Sequence, residues 1–167
     1  DMNQLFEEFI AEFIRRELRG VWQSSGWTFH AQSGTRHLLC EQKDKNLFKL
    51  VPDIRFETAA GETADRQTTL IVDTKYKLLD PTAAKAGIAE ADAYQMFAYK
   101  ERYRCPRVIL LYPQGGDTLA YDFSADADSP PWLEVRSVNL RRSLRDTTEK
   151  QQLRNTLLKI VAGHVQL

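Results

Sequence analysis

TTLIVDTKYKLL (68–79) is a strand sequence with two charges embedded in it. Its β-branched and aromatic residues suit a pleated, half-buried strand, whereas Asp73 and Lys75 interrupt an apolar run in which uncompensated charge is costly. Side chains alternate across a strand, so Asp73 and Lys75 project from one face and Thr74 from the other. Upstream, FKLVPDIRFE (48–57) reads as a second strand, joined to the first by the polar segment TAAGETADRQ (58–67), a solvated hairpin loop. Pairing of the two strands brings Asp53 beside Asp73. Two carboxylates and an ammonium are then expected to converge.

Outward from this hairpin, apolar residues recur at three- and four-residue spacing from Met2 to Val21, the pattern of an amphipathic helix ended by Gly20 and Ser24-Ser25-Gly26. WTFHA (27–31) and RHLLCEQ (36–42) read as short extended segments. After a loop at 80–87, residues 88–103 have the recurrence of a second helix. RVILLYP (107–113), TLAYDF (118–123) and WLEVRSVNL (132–140) read as strands, and a last helix covers about 144–161. This order, with the apolar RVILLY following a helix, predicts an α/β fold with a mixed central sheet flanked by helices.

The chain has 167 residues, 43% of them apolar, which fits one domain with a real core. Lys plus Arg number 23 and Asp plus Glu number 23. This balance leaves no global attraction to nucleic acid, so any DNA affinity must come from a local patch. Cys40 and Cys105 form no CxxC pair and read as reduced thiols. No apolar run approaches the ~20 residues needed to cross a bilayer, and the N-terminus lacks signal-peptide character. A cytoplasmic protein is expected. His30, His37 and His164 are isolated, without metal-ligand spacing, and Arg136, Arg141, Arg142 and Arg145 read as a solvated helix start rather than a phosphate-binding cluster.

The spacing of PD at 52–53 and DTK at 73–75 suits phosphodiester hydrolysis. That reaction brings an anionic nucleophile to an anionic phosphate and expels an alkoxide, so its site must supply positive charge and lower the pKa of water. Mg²⁺ does both and takes one or two carboxylates, with waters and phosphate oxygens completing its shell. Asp53 and Asp73 suit that role, with the Thr74 backbone carbonyl as a further ligand. Lys75 is expected to stay protonated, orienting the attacking water and stabilising the phosphorane, and the general base is left open. Taken singly, PD reads as a strand start and D-x-K as a surface ion pair. A triad that failed to converge would instead indicate a noncatalytic interaction module.

PD followed by a strand bearing D-x-K resembles the PD-(D/E)xK nuclease superfamily. With MNQLFEEFI (2–10), VPDI (51–54), IVDTKYK (71–77), DAYQMFAY (92–99) and LLYP (110–113), the chain resembles McrC-type nuclease subunits of McrBC modification-dependent restriction systems. The resemblance covers about residues 2–113. It implies a restriction-endonuclease-like fold, Asp53, Asp73 and Lys75 as the core triad, and Mg²⁺, with Mn²⁺ as a substitute. It also implies a glutamate from LFEEF reaching the metal through water, Glu7 fitting best and Glu8 second, and Gln95, near Asp92 and Tyr94, positioning water or phosphate. The implied partners are DNA and a McrB-like AAA+ GTPase. The region through which such subunits engage the GTPase is not in this sequence, so an isolated catalytic domain is expected. A superfamily relative acting on branched or single-stranded DNA is the alternative within the same chemistry.

Overall fold

The computed structural model describes residues 1–42, 45–59, 65–141 and 143–163. In chain order the elements are α1 (Met2–Glu17), α2 (Arg19–Ser24), β1 (Trp27–Ala31), β2 (Arg36–Glu41), β3 (Lys45–Leu50), β4 (Ile54–Ala59), β5 (Arg66–Thr74), α3 (Glu90–Tyr103), β6 (Val108–Gln114), β7 (Ala120–Phe123), β8 (Leu133–Asn139) and α4 (Thr147–Ala162). Six strands form one mixed sheet in the order β1-β4-β5-β6-β8-β7, and β2 and β3 form a separate antiparallel ribbon. β5, β6 and β8 run parallel, with antiparallel strands on both sides. The expected mixed α/β architecture is present.

Strand alternation divides the core between the two faces of the sheet. Leu70 and Val72 of β5 face α1 and α4, packing with Ile10, Ile14, Leu157 and Val161, whereas Ile71 faces α3, packing with Met96, Tyr99 and Tyr103. β6 is enclosed on both faces, with Val108 through Pro113 all buried, which explains the unbroken apolar run in its sequence. Asp1 caps α1 by accepting from the Asn3 amide at 2.9 Å, and Asp146 caps α4 by accepting from the Thr148 amide at 2.7 Å. Among the described residues no helix is long and apolar enough to cross a membrane.

Three sequence expectations change. The single strand at 48–57 is two strands, because the chain leaves the ribbon at Leu50 and joins the main sheet only at Ile54. Pro52 sits in the break, where its missing N–H interrupts no ladder. The strand expected to run to Leu79 stops at Thr74, beyond which only the Lys75 amide bonds to β6, at Leu111 O. A strand extends only as far as its neighbours supply partners. The first helix divides at Leu18, which has φ −107° and lies just before Gly20. The loop expected at 58–67 is shorter, since β4 runs to Ala59 and β5 starts at Arg66, and residues 60–64 lie outside the described residues, as do Arg142 and His164.

Candidate metal centre and active site

β5 carries Asp73, Thr74 and Lys75 to the end of the sheet, and the Val51-Pro52-Asp53 break delivers Asp53 to the same end from the neighbouring β4. The expected alternation holds. Asp73 and Lys75 take the α3 side with Ile71, and Thr74 takes the α1 side with Leu70 and Val72. Asp53, freed from the pleat, reaches across: its Oδ2 accepts from the Thr74 amide at 2.7 Å and from the Thr74 hydroxyl at 2.8 Å. An open cleft of about 410 Å³ is lined by Asp53, Asp73, Thr74 and Lys75 together with Glu7, Gln95, Asn3, Gln32, Val51 and Tyr99.

The Lys75 ammonium lies 2.7 Å from Asp73 Oδ2 and donates to Gln95 Oε1 at 2.9 Å. Gln95 in turn donates from Nε2 to the Tyr99 hydroxyl at 3.1 Å, and that hydroxyl donates to Val51 O at 3.1 Å. α3 therefore holds both the lysine and the approach to Asp53. Asp92, one turn earlier, pairs with Lys77 at 3.2 Å and lies 3.9 Å from Lys75. Tyr94 is exposed and lines a different groove.

From α1, Glu7 faces the cleft and accepts from the Gln32 side-chain amide, which also donates to Asp53 Oδ1 at 3.2 Å. Glu8 instead accepts from Gln4 at 2.9 Å on the exposed side of the helix. The structure thus brings together Asp53, Asp73, Lys75, Glu7 and Gln95, and leaves Glu8 outside. Thr74 contributes its amide and hydroxyl as donors to Asp53.

Electrostatically the cleft is short of positive charge. Burial, reinforced by the Asp53 charge, raises the Asp73 carboxyl well above the usual aspartate range. Glu7 is raised for the same two reasons. Burial pulls the Lys75 ammonium down, but Asp73, Asp92 and Asp53 together outweigh it and hold its pKa above the usual lysine value. Lys75 is therefore a fixed cation.

Among the described residues no three His, Cys, Asp or Glu side chains form a ready-made metal cluster. The cleft offers two carboxylates, with Glu7 set behind the Gln32 amide. Two carboxylates are what Mg²⁺ takes before waters and phosphate complete its octahedron. The donor set is the indication of fit: Asp73 Oδ2 is charge-paired with Lys75 at 2.7 Å, and Asp53, Asp73 and Glu7 line one cleft with hard oxygen donors.

Sequence reasoning missed Gln32 and Asn3. Gln32 follows β1 with a φ of 47°, and its amide donates to Asp53 O at 2.9 Å. Asn3 accepts from the Tyr76 amide at 3.1 Å, pinning α1 to the chain beyond β5. Neither is marked by periodicity or motif; only the approach of α1 and β1 to Asp53 selects them. Of the arginine cluster, Arg136 is committed to structure through Asp122 and Glu134, at 2.6 and 3.0 Å. Arg141 borders an apolar groove of about 700 Å³ lined by Met2, Leu5 and Phe9, with no carboxylate among its lining residues.

A mixed sheet with D-x-K at the end of a central strand and a second aspartate delivered from its neighbour defines a restriction-endonuclease-like α/β fold. The particular family follows from comparison with known proteins. This chain belongs to the McrBC family: the family model described as McrBC 5-methylcytosine restriction system component matches residues 1–113. Among solved structures, it is similar in fold to a chain of the Thermococcus gammatolerans assembly of McrB AAA+ hexamers with bound McrC. The TM-score is 0.60 at 16% identity, covering 96% of this chain and 33% of that one. This chain thus spans about a third of that relative's length. No curated protein matches it.

Proposed function

We propose that this domain is the Mg²⁺-dependent DNA-cleaving unit of an McrC-type subunit. The carrying observation is that Asp53, Asp73 and Lys75, distant in sequence, line one cleft with Glu7 and Gln95. Membership of the McrBC family supports the restriction-system context.

Asp53 and Asp73 would hold the metal, with Glu7 joining through water and the Thr74 carbonyl available as a further ligand. When bound, Mg²⁺ or Mn²⁺ supplies Lewis-acid polarisation of the phosphate and a lowered pKa for bound water. The chain's own residues do the rest. Lys75, locked between Asp73 and Gln95, presents a positive charge to the attacking water and to the oxygens that gain charge in the transition state. Gln95 fixes the direction of that ammonium, and Tyr99 fixes Gln95. Asp53 is held by Thr74 and Gln32, so its free lone pairs point where these donors allow.

A McrB-like AAA+ GTPase is the proposed partner, supported by the similarity to a chain of the McrB–McrC assembly. Modified-cytosine selection is assigned to that partner, which fits the zero net charge of this chain. The test is cleavage of cytosine-methylated plasmid by the full-length protein with its GTPase, with Mg²⁺, with Mn²⁺ and with chelator. Cleavage that persists in chelator, or in Asp73→Asn protein, overturns the reading.

A further inference from the structure

The sequence left open where a neutral chain would touch DNA, and the ribbon of β2 and β3 answers that question. It is a separate two-stranded sheet, hydrogen-bonded to no strand of the main one. Isolated ribbons are marginal unless something holds or covers them. This one is held at its base. Tyr103 donates to Leu50 O at 2.6 Å, the Thr35 amide donates to Tyr103 at 3.0 Å, and Arg102 donates to His37 O at 2.7 Å. Gly34 lies so close that a Cβ there would stand 2.1 Å from Leu50 O.

Beyond the base the ribbon is uncovered. Leu38, Leu39 and Phe48 are 42%, 54% and 67% exposed. Leu38 and Phe48 lie between the registered pairs His37 with Lys49 and Leu39 with Leu47, so they stand opposite one another as an exposed apolar pair, whereas Leu39 projects from the other face. Phe48 also has a φ of 56°, a conformation that bulky side chains rarely adopt and that no burial of its ring offsets. Among its described residues the ribbon carries Arg36, Lys45 and Lys49 against Glu41. Arg36, Lys45 and Lys49 are exposed, Lys45 pairs only loosely with Glu41 at 3.6 Å, and neither Arg36 nor Lys49 is ion-paired with another described residue.

We propose that this ribbon is a DNA-gripping arm, with Phe48 a wedge that stacks against or between bases and Arg36, Lys45 and Lys49 its phosphate contacts. The proposal rests on the reading of the cleft as a DNA-cleaving site. Cations beside exposed apolar wedges are complementary to a duplex, which offers phosphates outside and base faces within, and a two-stranded ribbon fits a groove. The reach is suitable. Phe48 precedes Asp53 by five chain steps, spanning at most about 18 Å, or about five base-pair steps at ~3.4 Å each. The arm therefore engages the duplex within about half a turn of the cut, and its rigid root on Tyr103 of α3, the helix bearing Gln95, sets that spacing.

The test is equilibrium binding of the full-length protein to a fluorescent duplex over a range of salt, in Ca²⁺ to withhold cleavage. Lys45→Glu with Lys49→Glu is expected to weaken binding and reduce the magnitude of the logarithmic salt slope by about two. Phe48→Ala is expected to weaken binding on the order of ten-fold with the slope unchanged. Phe48→Trp should bind as the wild type does, its emission quenched by the duplex. Phe48→Gly separates recognition from folding: it relieves the backbone conformation, so thermal stability should rise while affinity falls. Wild-type affinity and slope in these variants overturns the proposal, as does absence of duplex binding by the wild type. So does loss of self-association in Phe48→Ala with DNA affinity intact. If the arm is right and the cleft is not, binding depends on the ribbon while Asp73→Asn leaves divalent-ion binding unchanged; if the reverse, ribbon variants bind and cut normally.

Discussion

Asp53 Oδ2 accepts two hydrogen bonds from Thr74, one from its amide at 2.7 Å and one from its hydroxyl at 2.8 Å. Asp53 comes from a break between strands and Thr74 from the last residue of β5, so this pair ties the turn to the sheet. Loaded from one side, the Asp53 carboxylate keeps its remaining lone pairs for the cleft.

Thr74→Val deletes the hydroxyl and keeps the amide, the volume and the β-branch. Loss of one such bond costs about 1 kcal/mol, a several-fold effect. Mg²⁺ affinity measured by calorimetry should fall several-fold, with cleavage falling in parallel and the melting temperature nearly unchanged. A variant that binds metal as tightly as the wild type would show that the hydroxyl does not orient Asp53.

Asp73→Asn and Lys75→Ala should part company. The first removes an anionic ligand oxygen, so divalent-ion binding and cleavage are lost together. The second removes a repelling cation that acts on the developing phosphorane. Cleavage should fall by about two to three orders of magnitude while metal binding is retained or tightened. Calorimetry beside a cleavage assay of the protein with the proposed GTPase partner decides it, and Lys75→Ala that cuts at the wild-type rate would refute the mechanism.

Arg55, only 1% exposed, is paired with Glu57 and lies 5.4 Å from the Tyr103 ring, so the sheet beneath the cleft rests on a buried ion pair. Glu57→Ala strands a buried guanidinium. Removing one partner of such a pair typically costs about 3 kcal/mol or more. A urea midpoint within error of wild type would mean that His30 or water takes over the role of Glu57.

The two thiols should differ in their access to reagents. Cys40 is exposed, whereas burial pushes the Cys105 thiol from an ordinary 9.0 up to about 11. At pH 8 a disulfide reagent should modify one thiol in the native protein and both in denaturant. Because the folded state holds the Cys105 proton more tightly, the stability it contributes is present below pH 9 and is lost as pH rises through about 11. Equal reactivity of both thiols in the native protein would show that the segment joining α3 to β6 opens readily.

The sequence by itself determined which chemistry was on offer. Asp73 and Lys75 inside an apolar strand and Asp53 after a proline were legible because alternation is a local property, whereas Glu7 and Gln95 were singled out by the resemblance to McrC-type nucleases. Strand partners are not local. That 48–57 would split, sending Lys45–Leu50 to a ribbon and Ile54–Ala59 to the main sheet, depended on which backbone groups stood opposite. That Tyr76 and Leu78 would leave the strand, 42% and 70% exposed, depended on β4 starting only at Ile54, opposite Val72, and on Pro113 of β6 having no N–H to offer. Gln32 and Asn3 carried no signal of their own. The resemblance put Glu7 ahead of Glu8, but only the packing of α1 against the sheet decides which of these adjacent side chains turns toward Asp53, because a helix offers both.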